Sequence, residues 1–215
     1  MKRSKFSLSN YKLFSCDMGN LIPCGITEVL PGDTIQQATS ALVRCSPLLT
    51  PPMHPVHVRI HHWYVPFRII WPEFEDFITG GMDGHDDTAF PTITLASGAA
   101  VGSLADYLGV PTGINGLEVS ALPFRAYNLI WNEWYRDQDL QTELVIDDGS
   151  GPDTTTSRLL QNCAWEKDYF TSSRPWEQKG PAVTIPLGTS APVSISSNNQ
   201  APDIVATNTR KIQSR

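Results

Sequence analysis

The sequence predicts a mainly β protein whose strands are joined by long connections that carry short helices. The chain of 215 residues contains 17 prolines and 15 glycines, which favour turns and interrupt long helices. Between Val56 and Val65 the side chains divide by parity into two faces, which is the period of a strand with one buried face. Elsewhere, short stretches repeat apolar residues at every third and fourth position, as amphipathic helices do. No linker divides the chain, so its length favours one domain with elaborated loops.

Five segments are predicted as strands because they are rich in β-branched and apolar residues or lie between turn signals. They are Leu21–Leu30, Thr34–Cys45, Val56–Val65, a piece near Asp168–Thr171 and a piece near Val183–Val193. The first two are separated by Pro31, Gly32 and Asp33. This combination predicts a tight turn in which Gly32 adopts a backbone conformation that other residues resist.

Three short helices are predicted in the connections. Trp71–Ile78 places a proline in its first turn, where the missing amide hydrogen costs nothing. Ser103–Gly109 begins with an N-capping serine and ends at a glycine. Leu122–Asp137 has the clearest helical period of apolar residues. Residues 79–102, which are rich in glycine and acids, are predicted to form a loop.

The distribution of charge singles out the start of the chain. The formal net charge of −6 excludes a general basic surface for a nucleic acid. Lys2, Arg3 and Lys5 precede the first acidic residue, Asp17, and are therefore the local candidates for a contact with DNA. We accordingly divide the chain into a basic and polar arm (residues 1–20), a β domain (residues 21–196) and a polar exposed segment (residues 197–215).

No pattern of residues predicts a catalytic or metal site. His57 and His61 share one face of a predicted strand but lie roughly 13 Å apart, too far for one metal ion. The chain has no nucleophile elbow, no phosphate-binding glycine loop and no HExxH sequence. We therefore predict no enzyme activity, no cofactor and no metal requirement. Weak calcium binding by Asp83, Asp86 and Asp87 stays open.

The cysteines and the hydropathy bear on the environment of the protein. The four cysteines form no CxxC pair, so we expect reduced and mostly buried thiols; they are Cys16, Cys24, Cys45 and Cys163. No apolar run reaches the roughly 18 residues that a membrane helix needs, and the first twenty residues carry no secretory signal. The sequence predicts no membrane partner.

Four stretches, taken in order, resemble one protein family. They are "GITEVLPGDT" (Gly25–Thr34), "VHVRIHHWYVPFRIIWPEFEDFITG" (Val56–Gly80), "LPFRAYNLIWNEWYRDQDL" (Leu122–Leu140) and "DYFTSSRPWEQKGPAVTIPLG" (Asp168–Gly188). Together they are similar to the major capsid protein of the Microviridae, the small single-stranded DNA phages, and especially to its gokushovirus-like branch.

The resemblance implies a single jelly-roll β-barrel with long inter-strand loops. Copies would self-assemble into a small T=1 icosahedral shell around circular single-stranded DNA, formed in the bacterial cytoplasm and located in the virion. The implied partners are identical subunits, packaged DNA bound without sequence specificity, and minor virion proteins. Family members are considerably longer, so we expect an incomplete barrel, with about five of about eight strands, and the start of a surface insertion in residues 197–215.

Two other functions are compatible with a barrel. One is a jelly-roll module that binds a carbohydrate or another ligand. The other is a metal-dependent enzyme of the cupin type, which the missing cluster of metal ligands disfavours.

Overall fold

The computed structural model describes residues 4–173. These residues belong to two compact units, of which the first ends at Glu166 and the second begins at Lys167. Lys2 and Arg3, the strand predicted near Val183–Val193 and the segment 197–215 lie outside the described residues.

The described residues of the first unit form four short α-helices and two strands. In chain order they are α1 (Phe67–Ile70), α2 (Phe74–Thr79), β1 (Thr92–Leu95), α3 (Leu104–Tyr107), β2 (Leu117–Ser120) and α4 (Leu122–Ile130). A π-helical segment, Trp131–Tyr135, continues α4 without a break. None of the helices in the described part of the chain has the length and apolar character that crossing a bilayer requires.

The two strands form an antiparallel pair that was not predicted. Thr92 lies opposite Ser120 and Leu95 opposite Leu117. The sequence assigned residues 79–102 to a loop, and that prediction is wrong for β1. Each strand has only four residues, too few for a period of two to stand out from glycine-rich surroundings.

The hydrophobic core lies between the strand pair and α4. Ile93 and Leu95 of β1 pack with Leu104 of α3 and with Phe124 and Tyr127 of α4. A second cluster joins Ile70, Trp71 and Leu122, so that the end of α1 packs against the start of α4. Helix α4 therefore belongs to both clusters and holds the unit together.

The three predicted helices are present. Ser103 is the N-cap of α3, where its hydroxyl accepts a hydrogen bond from the Asp106 amide at 3.4 Å. Gly109 follows α3 with a φ of +92°, as the sequence predicted for a stop signal. Helix α1, which precedes Trp71, was not predicted because its four residues span little more than one turn.

Strands are absent from the segments Leu21–Leu30, Thr34–Cys45 and Val56–Val65 in the described structure, which corrects three of the predictions. Every residue from Cys24 to Tyr64 is exposed, and we call residues 24–64 the exposed segment. A strand forms only when another strand supplies hydrogen-bond partners, and no described residue pairs with this segment in a sheet. The side-chain pattern typical of strands is present in the sequence, but it cannot supply the neighbouring strand that a sheet requires.

The piece near Asp168–Thr171, in the second unit, is a turn. The Asp168 carboxylate accepts hydrogen bonds from the amides of Phe170 at 2.8 Å and Thr171 at 2.7 Å. The hydrogen bonds from Thr171 and Phe170 lower the pKa of Asp168. The strand prediction was wrong because a side chain, rather than a neighbouring strand, satisfies these amides.

The cysteines also differ from expectation. All four are unpaired, but Cys16, Cys24 and Cys45 are exposed and Cys163 is only partly buried. The first three precede α1 and lie outside both core clusters. The prediction of buried thiols was therefore wrong.

Candidate subunit interface

The exposed segment carries apolar side chains that a folded chain normally buries. Fourteen large hydrophobic residues between Cys24 and Tyr64 are exposed, including Leu42, Leu49 and Met53, each more than nine-tenths exposed. Large exposed apolar areas on folded proteins mark places where other elements or subunits pack. The exposed segment is therefore the first part of a candidate interface.

The chain just before the exposed segment is anchored on α4 by Tyr127, which contacts Leu21. The Tyr127 hydroxyl donates to the Leu21 carbonyl at 2.9 Å and accepts from the Gln161 amide at 2.8 Å. The Leu21 amide donates to the Gln161 carbonyl at 2.8 Å. Burial raises the pKa of Tyr127 to about 12, although the hydrogen bond from Gln161 acts in the opposite direction. The phenol thus joins two chain segments as a neutral group.

The C-terminal end of the exposed segment is anchored on the π-helical segment. The His61 ring stacks on Tyr135 with centroids 5.8 Å apart, and His61 Nδ1 is hydrogen-bonded to the Tyr135 hydroxyl. The Trp63 ring lies 4.8 Å from that of Trp134. Burial raises the pKa of Tyr135, while a hydrogen bond with Trp63 acts to lower it. Both anchors therefore stand on one continuous helix.

The same rings form an open groove. It is lined by Ile60, His61, His62, Trp63, Trp134 and Tyr135, and we call it the aromatic groove. Trp134 is 67% exposed and Trp63 is 39% exposed. Aromatic residues are enriched in protein interfaces, so the aromatic groove is the second part of the candidate interface.

A buried ion pair fixes the helix that carries this groove. Arg125 Nε donates to Asp153 Oδ2 at 2.9 Å, and its Nη1 donates to the Ile70 carbonyl at 3.1 Å. Asp153 also accepts from the amide and the hydroxyl of Thr156, at 2.9 and 2.6 Å. Arg125 and Asp153 are both almost fully buried. These bonds tie α4 to the end of α1 and to the loop around Asp153.

The environment of Asp153 stabilises its ionised form. Burial alone raises the pKa, but the hydrogen bonds from Thr156 and Arg125 and the charge of Arg125 outweigh it and lower the pKa below its usual value. The carboxylate therefore stays charged throughout the neutral range and keeps Arg125 paired. The ion pair between Arg125 and Asp153 stabilises the fold. It is not placed to act on a substrate, because both residues are buried in the described structure.

The predicted turn lies within the exposed segment. The Asp33 amide donates to the Leu30 carbonyl at 3.1 Å, and the Leu30 amide donates to Asp33 Oδ2 at 3.2 Å. Gly32 has a φ of +87°. With Pro31 preceding it, this geometry is that of a type II turn, which requires a positive φ at its third residue. The turn folds the exposed segment back between Leu30 and Asp33.

Of the three predicted DNA-facing residues, the structure describes only Lys5. Lys5 is exposed, and among the described residues no carboxylate lies within salt-bridge distance of it. Lys2 and Arg3 lie outside the described residues. The structure thus leaves the ammonium group of Lys5 accessible to an anion.

The histidines and acids that drew attention in the sequence do not converge. Within residues 4–173 no group of three or more histidine, cysteine or acidic side chains is close enough to hold a metal ion. His62 is hydrogen-bonded to the Thr39 hydroxyl at 3.1 Å. Asp86 instead accepts from the amide and hydroxyl of Thr88, at 3.1 and 2.8 Å.

Sequence reasoning missed the buried ion pair and the pairing of Trp63 with Trp134. Asp153 lies in a stretch that looked like a polar loop. One signal was available in the sequence. Arg125 lies three positions after the buried Leu122, and Asn128 lies three positions after Arg125, so all three fall near one side of the helix. Polar residues at inward positions of a helix indicate buried partners.

Comparison with known proteins identifies the family. The family described as "Capsid protein (F protein)" matches residues 1–215. Capsid protein VP1 of Bdellovibrio phage phiMH2K is 40% identical over 200 residues, which cover 91% of this chain and 37% of that protein. Capsid protein VP1 of Chlamydia phage 1 is 35% identical over 209 residues, which cover 86% and 35%. Capsid protein VP1 of Spiroplasma virus 4 is 33% identical over 207 residues, which cover 89% and 37%.

The chain spans a little over a third of the length of these relatives. All three are named as capsid proteins, which confirms the resemblance found in the sequence and gives no support to a carbohydrate-binding module. Since the match to the family extends over the whole chain, this protein belongs to the capsid protein (F protein) family of small phages.

Proposed function

We propose that the chain is part of a structural capsid subunit that assembles with copies of itself into a small icosahedral shell enclosing circular single-stranded DNA. The protein is assembled in the bacterial cytoplasm and is located in the virion. Its role is structural rather than catalytic. The observation that carries the proposal is the family match over residues 1–215. The exposed apolar side chains of residues 24–64 support it, because subunit assembly would remove them from water.

The fold that accompanies this function is a single jelly-roll β-barrel. The support comes from Leu21–Leu30, Thr34–Cys45 and Val56–Val65, whose side-chain patterns favour strands. Apart from the Leu21 amide, which donates to the Gln161 carbonyl, their backbone groups have no strand partner among residues 4–173. Such groups readily add to the edge of another sheet.

Electron microscopy and light scattering test the shell. The purified chain is concentrated and fractionated by size-exclusion chromatography, and fractions above the monomer mass are imaged. We expect concentration-dependent oligomers or uniform particles. A monodisperse monomer that melts cooperatively at every concentration would contradict the proposal.

The second part of the proposal is that the N-terminal arm contacts the packaged DNA through Lys2, Arg3 and Lys5. Three cations neutralise only a few phosphates, so the contribution is modest, dependent on salt and blind to sequence. Replacement of all three by alanine should lower the affinity for single-stranded DNA at low salt and reduce the slope of affinity against salt concentration. Arg44→Ala, which removes one exposed cation elsewhere, is the control. Unchanged binding at every salt concentration would show that the arm does not contact DNA.

A further inference from the structure

The first sixteen residues differ in composition from the rest of the chain. They contain four cations and no acid, whereas the whole chain has a net charge of −6. They also contain three aromatic rings, about twice the frequency of 9% found in the whole chain. Rings and cations are neighbours at Lys5 and Phe6 and again at Tyr11 and Lys12. Basic residues interleaved with aromatic ones are the pattern of a segment that binds single-stranded nucleic acid.

The C-terminal part of this basic arm is fixed to α3. Phe14 packs edge-on against Tyr107, with ring centroids 6.0 Å apart, and the Tyr107 hydroxyl donates to the Ser15 carbonyl at 2.7 Å. Lys12 Nζ donates to the Tyr107 carbonyl and, at 3.1 Å, to the Pro23 carbonyl. Because Tyr107 is buried, these contacts anchor the arm on the first unit and use one of its rings and one of its cations.

The rings nearer the N-terminus are not used in this way. The side chains of Lys5, Phe6 and Tyr11 make no hydrogen bond, ring contact or ion pair with any residue that the structure describes. They precede Leu21, where the strand patterns of the proposed barrel begin, so the barrel does not require them. A ligand that carries both negative charge and flat faces would satisfy the cation and the two rings together, and single-stranded DNA carries both.

An anionic lipid surface also combines negative charge with an apolar phase. Segments that lie in a membrane interface usually do so as amphipathic helices, which gather their apolar side chains on one face. Residues 4–19 contain no helix in the described structure. An arm without a regular face presents its rings one at a time, which suits separate bases better than a continuous lipid surface.

We propose that the arm binds single-stranded DNA by stacking bases on Phe6 and Tyr11, while Lys2, Arg3 and Lys5 neutralise neighbouring phosphates. The inference rests on the proposed function, since it names the chemistry through which the arm contacts packaged DNA. Every base has a π-face, so the contact is independent of sequence. It selects single strands, because the bases of a duplex are already stacked on one another.

The first test locates the bound bases directly. A single-stranded oligonucleotide that carries iododeoxyuridine is irradiated together with the unaltered chain, and the linked peptides are identified by mass spectrometry. Under irradiation this base reacts with aromatic rings on which it is stacked, so we expect links at Phe6 and Tyr11. Links confined to rings outside the arm, such as those of the aromatic groove, would overturn the proposal.

The second test removes the rings and keeps every cation. Phe6→Leu combined with Tyr11→Leu should weaken binding of a single strand at least about fivefold, which is the lower end of the effect of losing one stacked base. The affinity for a duplex of the same length and the slope of affinity against salt concentration should not change. The matched control, Tyr169→Leu combined with Phe170→Leu, removes the same two ring types at exposed positions in the second unit. Equal affinity of the two double variants for the single strand would overturn the proposal.

Vesicles of phosphatidylglycerol test the lipid alternative. We expect no difference between the unaltered chain and the variant without Phe6 and Tyr11 in binding to these vesicles. If loss of the two rings abolishes vesicle binding and leaves the affinity for single-stranded DNA unchanged, the rings serve a lipid surface and the proposal is wrong.

Failure of base stacking can be told apart from failure of the DNA contact itself. If alanine at Lys2, Arg3 and Lys5 weakens binding but loss of the rings does not, the arm contacts DNA through charge alone and base stacking is excluded. If neither change affects binding, the arm does not contact DNA, and base stacking is excluded together with that contact. Particles seen by electron microscopy would support the shell in either case.

Discussion

Two neighbouring regions of this chain use similar residues with opposite results. Residues 66–163 contain every buried core hydrophobe of the described structure, from Ile70 to Trp131, although other large apolar side chains there, such as Met82, are exposed. Residues 24–64 expose all of theirs. The difference is the presence of a packing partner, since α4 supplies one for β1 and α1 but none for the exposed segment. Burial of apolar side chains is favourable, but it requires a neighbouring element against which they can pack.

The largest contrast should come from two arginines, one in each region. Arg125→Met leaves Asp153 charged and buried without its partner, and should lower the free energy of unfolding by about 3–5 kcal/mol. Arg44→Met, at an exposed site, should change it by less than about 0.5 kcal/mol. Urea denaturation measures both.

The same pair of variants gives a second measurement in acid. The lowered pKa of Asp153 means that its stabilising contribution is present above the usual carboxyl pKa and is lost as the pH falls through the folded value. Without Arg125 that pKa rises, so acid unfolding should begin at a higher pH. An unchanged acid midpoint would show that the ion pair is not formed.

Two leucines test the comparison with apolar side chains alone. Leu104 is fully buried and Leu49 fully exposed. Leu104→Ala should lower stability by about 2–5 kcal/mol through lost burial and a cavity. Leu49→Ala should leave thermal stability unchanged and reduce self-association instead. Comparable destabilisation by both would mean that the exposed segment is packed in solution.

Alkaline pH should loosen the boundary between the regions. Tyr127 favours its neutral form in the folded state, so its contribution is complete below pH 10 and is lost as the pH rises to about 12. The loss is on the order of 2–3 kcal/mol for a shift of this size. Tyr127→Phe should flatten the decline in stability over this range. The control, Tyr64→Phe, alters an exposed phenol and should follow the wild-type curve.

The smallest effect is expected at the turn of the exposed segment. Gly32→Val forces a positive φ on a β-branched residue, with a strain of about 1–3 kcal/mol confined to the turn. Gly25→Val is the matched control, since a side chain there also meets no neighbour and the backbone needs no positive φ. Limited proteolysis should show faster cleavage near Leu30–Asp33 only in the Gly32 variant, with lower soluble yield. Equal cleavage in both would show that the turn tolerates a side chain.

The elements that sequence could predict are those closed by local interactions. Ser103 caps α3 through a residue three positions away, and the turn at Gly32 is bonded within four residues. The apolar period of Leu122–Asp137 likewise identified α4 and the segment that follows it. Four-residue strands gave too short a pattern, and twenty-one residues separate β1 from β2 along the chain.

The sequence by itself therefore determined α2, α3 and α4, the turn at Gly32, the apolar character of residues 24–64 and membership of the capsid family, because each depends on short motifs or on their order. Only the tertiary structure decided that Arg125 meets Asp153, that Tyr127 joins Leu21 to Gln161, and that Trp63 meets Trp134. These contacts join residues far apart in the chain, and their energy depends on burial and geometry that no local pattern encodes.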